Sequence, residues 1–157
     1  MTARSLMLLA AGGSLALLLG AFAFQALGYA PCKLCLWQRW PHAAAIAVGG
    51  LVLALGPLVL LGIAGALSAL ITAGIGAYHT GVERAWWEGP TSCSGGGNAL
   101  DGLSGTDLLS LEGPNDIVMC DEVAWALFGI SMASWNTLIS LTLAGFWLMA
   151  AKRASAT

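Results

Sequence analysis

The chain has 157 residues, 58% of them hydrophobic and only 9% charged, with a mean hydropathy of +0.81 and a formal net charge of -2. An ordinary soluble domain carries about 25% charged residues, so this is the composition of an integral membrane protein. Nothing basic enough for a nucleic-acid surface is present, and Ser94-Gly95-Gly96-Gly97 lacks the lysine, flanking strand and spacing of a phosphate loop.

Residues 5–28 are apolar and uncharged after Arg4, and at 1.5 Å per residue they reach about 36 Å, enough to span a hydrocarbon core with some tilt. Ala21-Phe22-Ala23 imitates a signal-peptide cleavage site, but the apolar stretch is longer than a signal peptide uses, so a retained span is expected. Next comes Pro31-Cys32-Lys33-Leu34-Cys35-Leu36-Trp37-Gln38-Arg39. Two cysteines with two residues between them can close a small, easily reduced ring, and an arginine one helical turn after the second can favour a thiolate there. A helix starting near Leu34 would add its dipole to that effect. Pro41 is an obstacle to one long helix, and a short helix to Trp40 followed by a second from Pro41 would resolve it.

From Trp40 to Val82 no Asp, Glu, Lys or Arg occurs. One helix of that length would overshoot a bilayer, so two spans are expected, about 41–56 and 58–79, joined by a tight turn at Gly56-Pro57. Their many glycines and alanines allow the close helix contact that drives packing in lipid. His79 ends the second of them, placed either to help bind a polar head sunk between helices or to sit idle at the interface. All eight acids fall between Glu83 and Glu122, which marks about 80–131 as a water-facing loop. In it Ser104 and Asp107, with Leu108, Leu109 and Leu111, suggest a short capped helix resting on the membrane surface. Trp86, Trp87, Trp125 and Trp135 flank the loop, as rings at headgroup level do. A last span, about 132–151, ends in Lys152-Arg153; with Arg4 this puts both termini in the cytoplasm and all four cysteines outside, the oxidising side in a bacterium.

Four cysteines permit three pairings, of which Cys32 with Cys35 and Cys93 with Cys120 is the simplest. A Cys93–Cys120 bridge closing 28 residues could be a staple, worth about 3.6 kcal/mol on the chain-entropy model. Its setting among Ser92, Ser94 and three glycines suits exchange with another protein's thiol better. Zinc held by the four thiolates is the competing idea, and the wide separation of Cys93 and Cys120 speaks against it.

With these pieces placed, the chain resembles the disulfide bond formation protein B (DsbB) family over nearly its whole length. The carriers are Pro31-Cys32-Lys33-Leu34-Cys35 with Arg39, Ala77-Tyr78-His79, Trp86-Trp87-Glu88-Gly89-Pro90-Thr91-Ser92-Cys93, Cys120-Asp121-Glu122-Val123-Ala124-Trp125, and Phe128-Gly129-Ile130-Ser131-Met132. The resemblance implies an all-α integral membrane four-helix bundle with a periplasmic loop carrying short helices. It implies a bacterial inner-membrane enzyme that reoxidises a periplasmic DsbA-like, thioredoxin-fold dithiol protein and passes the electrons to ubiquinone or menaquinone. Cys93 would be the sulfur attacked by the partner, forming a transient mixed disulfide, and Cys120 its mate. Cys32 and Cys35 would reoxidise that pair, Cys35 would donate to the quinone as a thiolate, Arg39 would stabilise it and hold a quinone oxygen, and His79 would lie near the quinone. Gln38 departs from the pattern, which leads one to expect an acid there. A relative serving one dedicated partner, or running toward reduction as vitamin K epoxide reductases do, is the alternative enzyme; a metal-binding or structural membrane protein is the alternative of another class.

Overall fold

The computed structural model describes residues 1–90 and 119–156. They form α1 (Ala3–Ala26), α2 (Lys33–Leu55), α3 (Val59–Glu83), a hairpin of β1 (Ala126–Leu127) and β2 (Ile130–Ser131), and α4 (Met132–Ala154). The expected helix near Ser104, and Cys93 itself, lie outside the described residues.

Local chemistry sets the helix ends. Thr2, Cys32 and Ser131 are N-caps whose side chains accept from the backbone N–H three residues on, at Ser5, Cys35 and Ser134. Gly56 closes α2 with φ 84, a left-handed conformation suited to glycine. In the hairpin Leu127 pairs with Ile130 and Ala126 with Ser131. The two turn residues, Phe128 and Gly129, have φ of 53 and 75, the paired positive values that match the twist of a two-residue hairpin loop.

The expected break at Pro41 is absent. Helix α2 starts at Lys33, ahead of the expected span, and runs unbroken through Pro41. The ring of Pro41 deprives the Trp37 carbonyl of its helical donor. Thr72 Oγ1 on α3 donates to the neighbouring Gln38 carbonyl at 3.2 Å, so a side chain of another helix supports the distorted turn. The Cys32–Arg39 segment is therefore the cap and first turns of a long helix.

The four helices pack as a ring, each of α1 and α3 lying between α2 and α4. Met7, Ala10, Val52, Ala66, Ala69 and Trp147 lie in the shared core. At one end Arg4 Nη2 donates to the Leu53 carbonyl at 3.2 Å, and Arg153 donates to the carbonyl of Met1. The cysteines and the hairpin occupy the other end.

The distribution of polarity is reversed from that of a soluble protein. Gln38, His42, Thr72, His79 and Ser140 are buried, whereas Leu19, Leu53, Leu60 and Leu67 are more than half exposed. Polar groups facing inward under an apolar exterior are what a lipid surround selects. Among the described residues two helices, α1 and α3, are long and apolar enough to cross a membrane. Helices α2 and α4 are as long but less apolar, because they carry Gln38, Arg39 and His42, and Asn136 and Ser140.

Candidate thiol redox site

The N-cap position of α2 decides where the first sulfur goes. Cys32 Sγ accepts from the Cys35 backbone N–H at 3.3 Å, at the helix end where the dipole favours an anion. Cys35, one turn in, brings its own sulfur to 3.0 Å from that of Cys32. Both are thiols in this structure, and at that distance the two sulfurs share a proton. The Cys35 thiol beside Cys32, helped by the Cys35 and Leu34 amides, holds the Cys32 thiol below its usual range against burial and the charge of Glu83. A lowered thiol loses its proton at lower pH, so the thiolate absorbance of the reduced pair is expected to appear below the midpoint of free cysteine. A first midpoint at or above that of free cysteine would contradict this geometry.

His79 arrives from α3. Its Nε2 lies 3.5 Å from Cys32 Sγ, and Gln38 Nε2 lies 3.1 Å from its Nδ1. Glu83, one turn further along α3, places Oε1 at 3.9 Å from His79 Nε2 and accepts from the Ser131 hydroxyl through Oε2. Cys120 is disulfide-bonded, fully buried, and packed with Cys32, Leu34 and Val82 in one small apolar cluster that Cys35 borders. The bonded sulfur thus sits beside the thiol pair, as exchange between two pairs requires.

Two cavities meet at these sulfurs. The smaller, about 30 Å³, is lined by Cys32, Cys35, His79, Glu83 and Glu122. The larger, about 440 Å³, lies among α1, α2, α4 and the hairpin. Its wall is mainly apolar, including Leu17, Phe24, Trp125, Trp135 and Ile139, with Cys35, Gln38, Arg39, His42 and Asn136 supplying the polarity. Cys35 is thus common to both cavities, and Cys32 lies behind it. His79, expected near a quinone from the resemblance, faces the sulfur pair from the smaller cavity.

Arg39 takes a direction the spacing did not reveal. Its guanidinium reaches α1, donating to Gln25 Oε1 at 2.8 Å and the Ala21 carbonyl at 3.5 Å, and lies 4.8 Å from the Phe22 ring centroid. It meets Cys35 only as a fellow wall residue of the larger cavity. Its Nε is buried without a hydrogen-bond partner among the described residues, as is Nδ1 of His42. A buried donor left unmatched in a cavity wall suits a ligand that brings acceptors, as the carbonyl oxygens of a quinone do.

The residues missed from sequence form a polar chain. Asn136 Nδ2 donates to Gln38 Oε1 at 2.6 Å and Thr72 Oγ1 at 3.2 Å, and Asn136 Oδ1 lies 2.8 Å from His42 Nε2. Single polar residues in apolar runs were the available signal. Cys32 Sγ, Cys35 Sγ and His79 Nε2 also lie within 4.8 Å of one another, a donor set that suits a soft cation.

The chain is similar to known disulfide bond formation proteins. The family model described as "Disulfide bond formation protein DsbB" matches residues 3–150. A disulfide bond formation protein B of Dechloromonas aromatica is 34% identical over 133 residues, covering 81% of this chain and 79% of that protein. A Rickettsia prowazekii protein, "Uncharacterized protein RP370", is 29% identical over 119 residues, covering 73% of this chain and 67% of its own length. No solved structure matches the chain.

Proposed function

This chain belongs to the DsbB family of disulfide bond formation proteins, and from that premise we propose that it is a membrane thiol oxidase linking a periplasmic DsbA-like dithiol protein to a membrane quinone. One observation carries the reading: Cys35 stands in the wall of a 440 Å³ apolar cavity with its partner sulfur 3.0 Å away. The basic ends of α1 and α4 face the cytoplasm on the positive-inside bias, so four spans put the cysteines on the periplasmic side.

A bound quinone supplies an acceptor for two electrons and two protons. The chain's residues do the rest. Leu17, Phe24 and Ile139 offer an apolar surround for a ring, while Arg39 Nε and the ring of His42 offer polar contacts. As the pair is oxidised, a Cys32–Cys35 bond forms and two electrons and two thiol protons leave the sulfurs. The incoming dithiol protein leaves Cys93 and Cys120 as two thiols, and exchange with these reduces the Cys32–Cys35 bond, which restores the Cys93–Cys120 disulfide and returns Cys32 and Cys35 to thiols. Cys93 forms the transient mixed disulfide with the incoming dithiol protein.

The test at the cavity is Arg39→Met. It is expected to raise KM for a short-chain quinone about 10- to 100-fold, the loss of one charged hydrogen bond, while thiol exchange with the protein donor is retained. An unchanged KM would remove Arg39 from the acceptor site.

A further inference from the structure

Gln38 is buried at the centre of a hydrogen-bond chain whose direction is fixed by groups that can only accept. The Gln38 carbonyl takes the Thr72 hydroxyl proton at 3.2 Å, so Thr72 Oγ1 is left to accept, and the Asn136 atom 3.2 Å from it must be the amide nitrogen. The same nitrogen donates to Gln38 Oε1 at 2.6 Å. The other end of the Gln38 amide is therefore its NH₂, which donates to the Leu34 carbonyl at 3.3 Å. That NH₂ also lies 3.1 Å from His79 Nδ1, and a donor there requires Nδ1 to be bare. In a neutral ring the proton is then on Nε2, 3.5 Å from Cys32 Sγ.

We infer that Gln38 is a positioning residue that holds His79 in the tautomer protonated on Nε2, so that the ring presents its N–H to the sulfurs of the reduced pair and stabilises the negative charge that develops there. The inference rests on reading Cys32 and Cys35 as the redox pair. Cys32 Sγ then receives the Cys35 backbone N–H at 3.3 Å and the His79 N–H at 3.5 Å, beside the Cys35 sulfur 3.0 Å away. The ring of His79 also meets Cys35 and the backbone of Cys120, and its Nε2 lies 3.9 Å from Glu83 Oε1, an acceptor that a proton there serves. The same tautomer turns the three-atom donor set away from metal binding, because a protonated ring nitrogen is not a ligand.

The experiment uses reduced, ¹⁵N-histidine-labelled full-length protein, which has only two histidines, assigned with His42→Gln. The expected spectrum has a protonated Nε2 and a bare Nδ1 at His79. In Gln38→Glu the carboxylate is expected to draw a proton onto Nδ1. With Cys93 and Cys120 replaced by serine, Gln38→Met is expected to raise the first thiolate midpoint of the pair by about one pH unit. A proton on Nδ1 in the unsubstituted protein overturns the inference, and that spectrum needs no variant to fold. Ring-nitrogen signals unmoved in Gln38→Glu overturn it as well. Because no acceptor is present in the tube, a failure of quinone reduction leaves these readings intact.

Discussion

Cys35→Ser is expected to abolish quinone reduction, with no detectable turnover when a dithiol donor and a short-chain quinone are supplied to the purified protein. Serine keeps the backbone N–H that caps onto Cys32 Sγ at 3.3 Å and fits the space of a half-buried residue, so the fold should survive. What is lost is the only thiol among the described residues that lines the larger cavity, standing 3.0 Å from its redox mate. A hydroxyl neither ionises near neutral pH nor forms a disulfide. The check is turnover measured beside a folding control such as the thermal transition. Normal turnover in a folded Cys35→Ser protein would remove the pair from the electron path.

Gly65→Leu carries the largest expected cost to the fold. A Cβ at residue 65 would lie 2.3 Å from the Trp147 ring, and Trp147 is fully buried where α3 meets α4. The indole is anchored on all sides, so relief requires the helices to part, at about 3 kcal/mol or more. Trp147→Ala should itself cost about 3–5 kcal/mol by leaving a cavity. Because the two sites touch, the double variant should lose much less than the sum of the singles. Thermal or denaturant unfolding in detergent measures all three; strict additivity would show that Gly65 and Trp147 do not press on one another.

That pair also shows what the sequence discloses. The glycines and alanines between Trp40 and Val82 announce close helix contact, but which glycine faces which side chain depends on helix rotation, and no periodicity in an apolar run fixes it. Cys32 and Cys35 are legible because their spacing alone brings the sulfurs together on one helical turn. Arg39 is legible as a residue of the site but not in direction, since its long side chain reaches α1 through contacts with Gln25 and Ala21 that local spacing does not encode. Where α2 runs through Pro41 it receives a hydrogen bond from Thr72, a residue of another helix. The hairpin at Ala126–Ser131 turns on Phe128-Gly129, a pair without the usual asparagine or aspartate signal. Gln38 stands out in the sequence as a departure, yet its partners Thr72, His79 and Asn136 come from two other helices and share no motif.

The central claim is that electrons leave the protein through the Cys32–Cys35 pair to a quinone. The most direct measurement replaces Cys93 and Cys120 with serine, reduces the protein, removes the reductant, and mixes it without oxygen with a slight excess of short-chain quinone. One quinone is expected to be reduced per chain, with Cys32 and Cys35 recovered as a disulfide. Quinone left oxidised, with both thiols still free to alkylate, would contradict it.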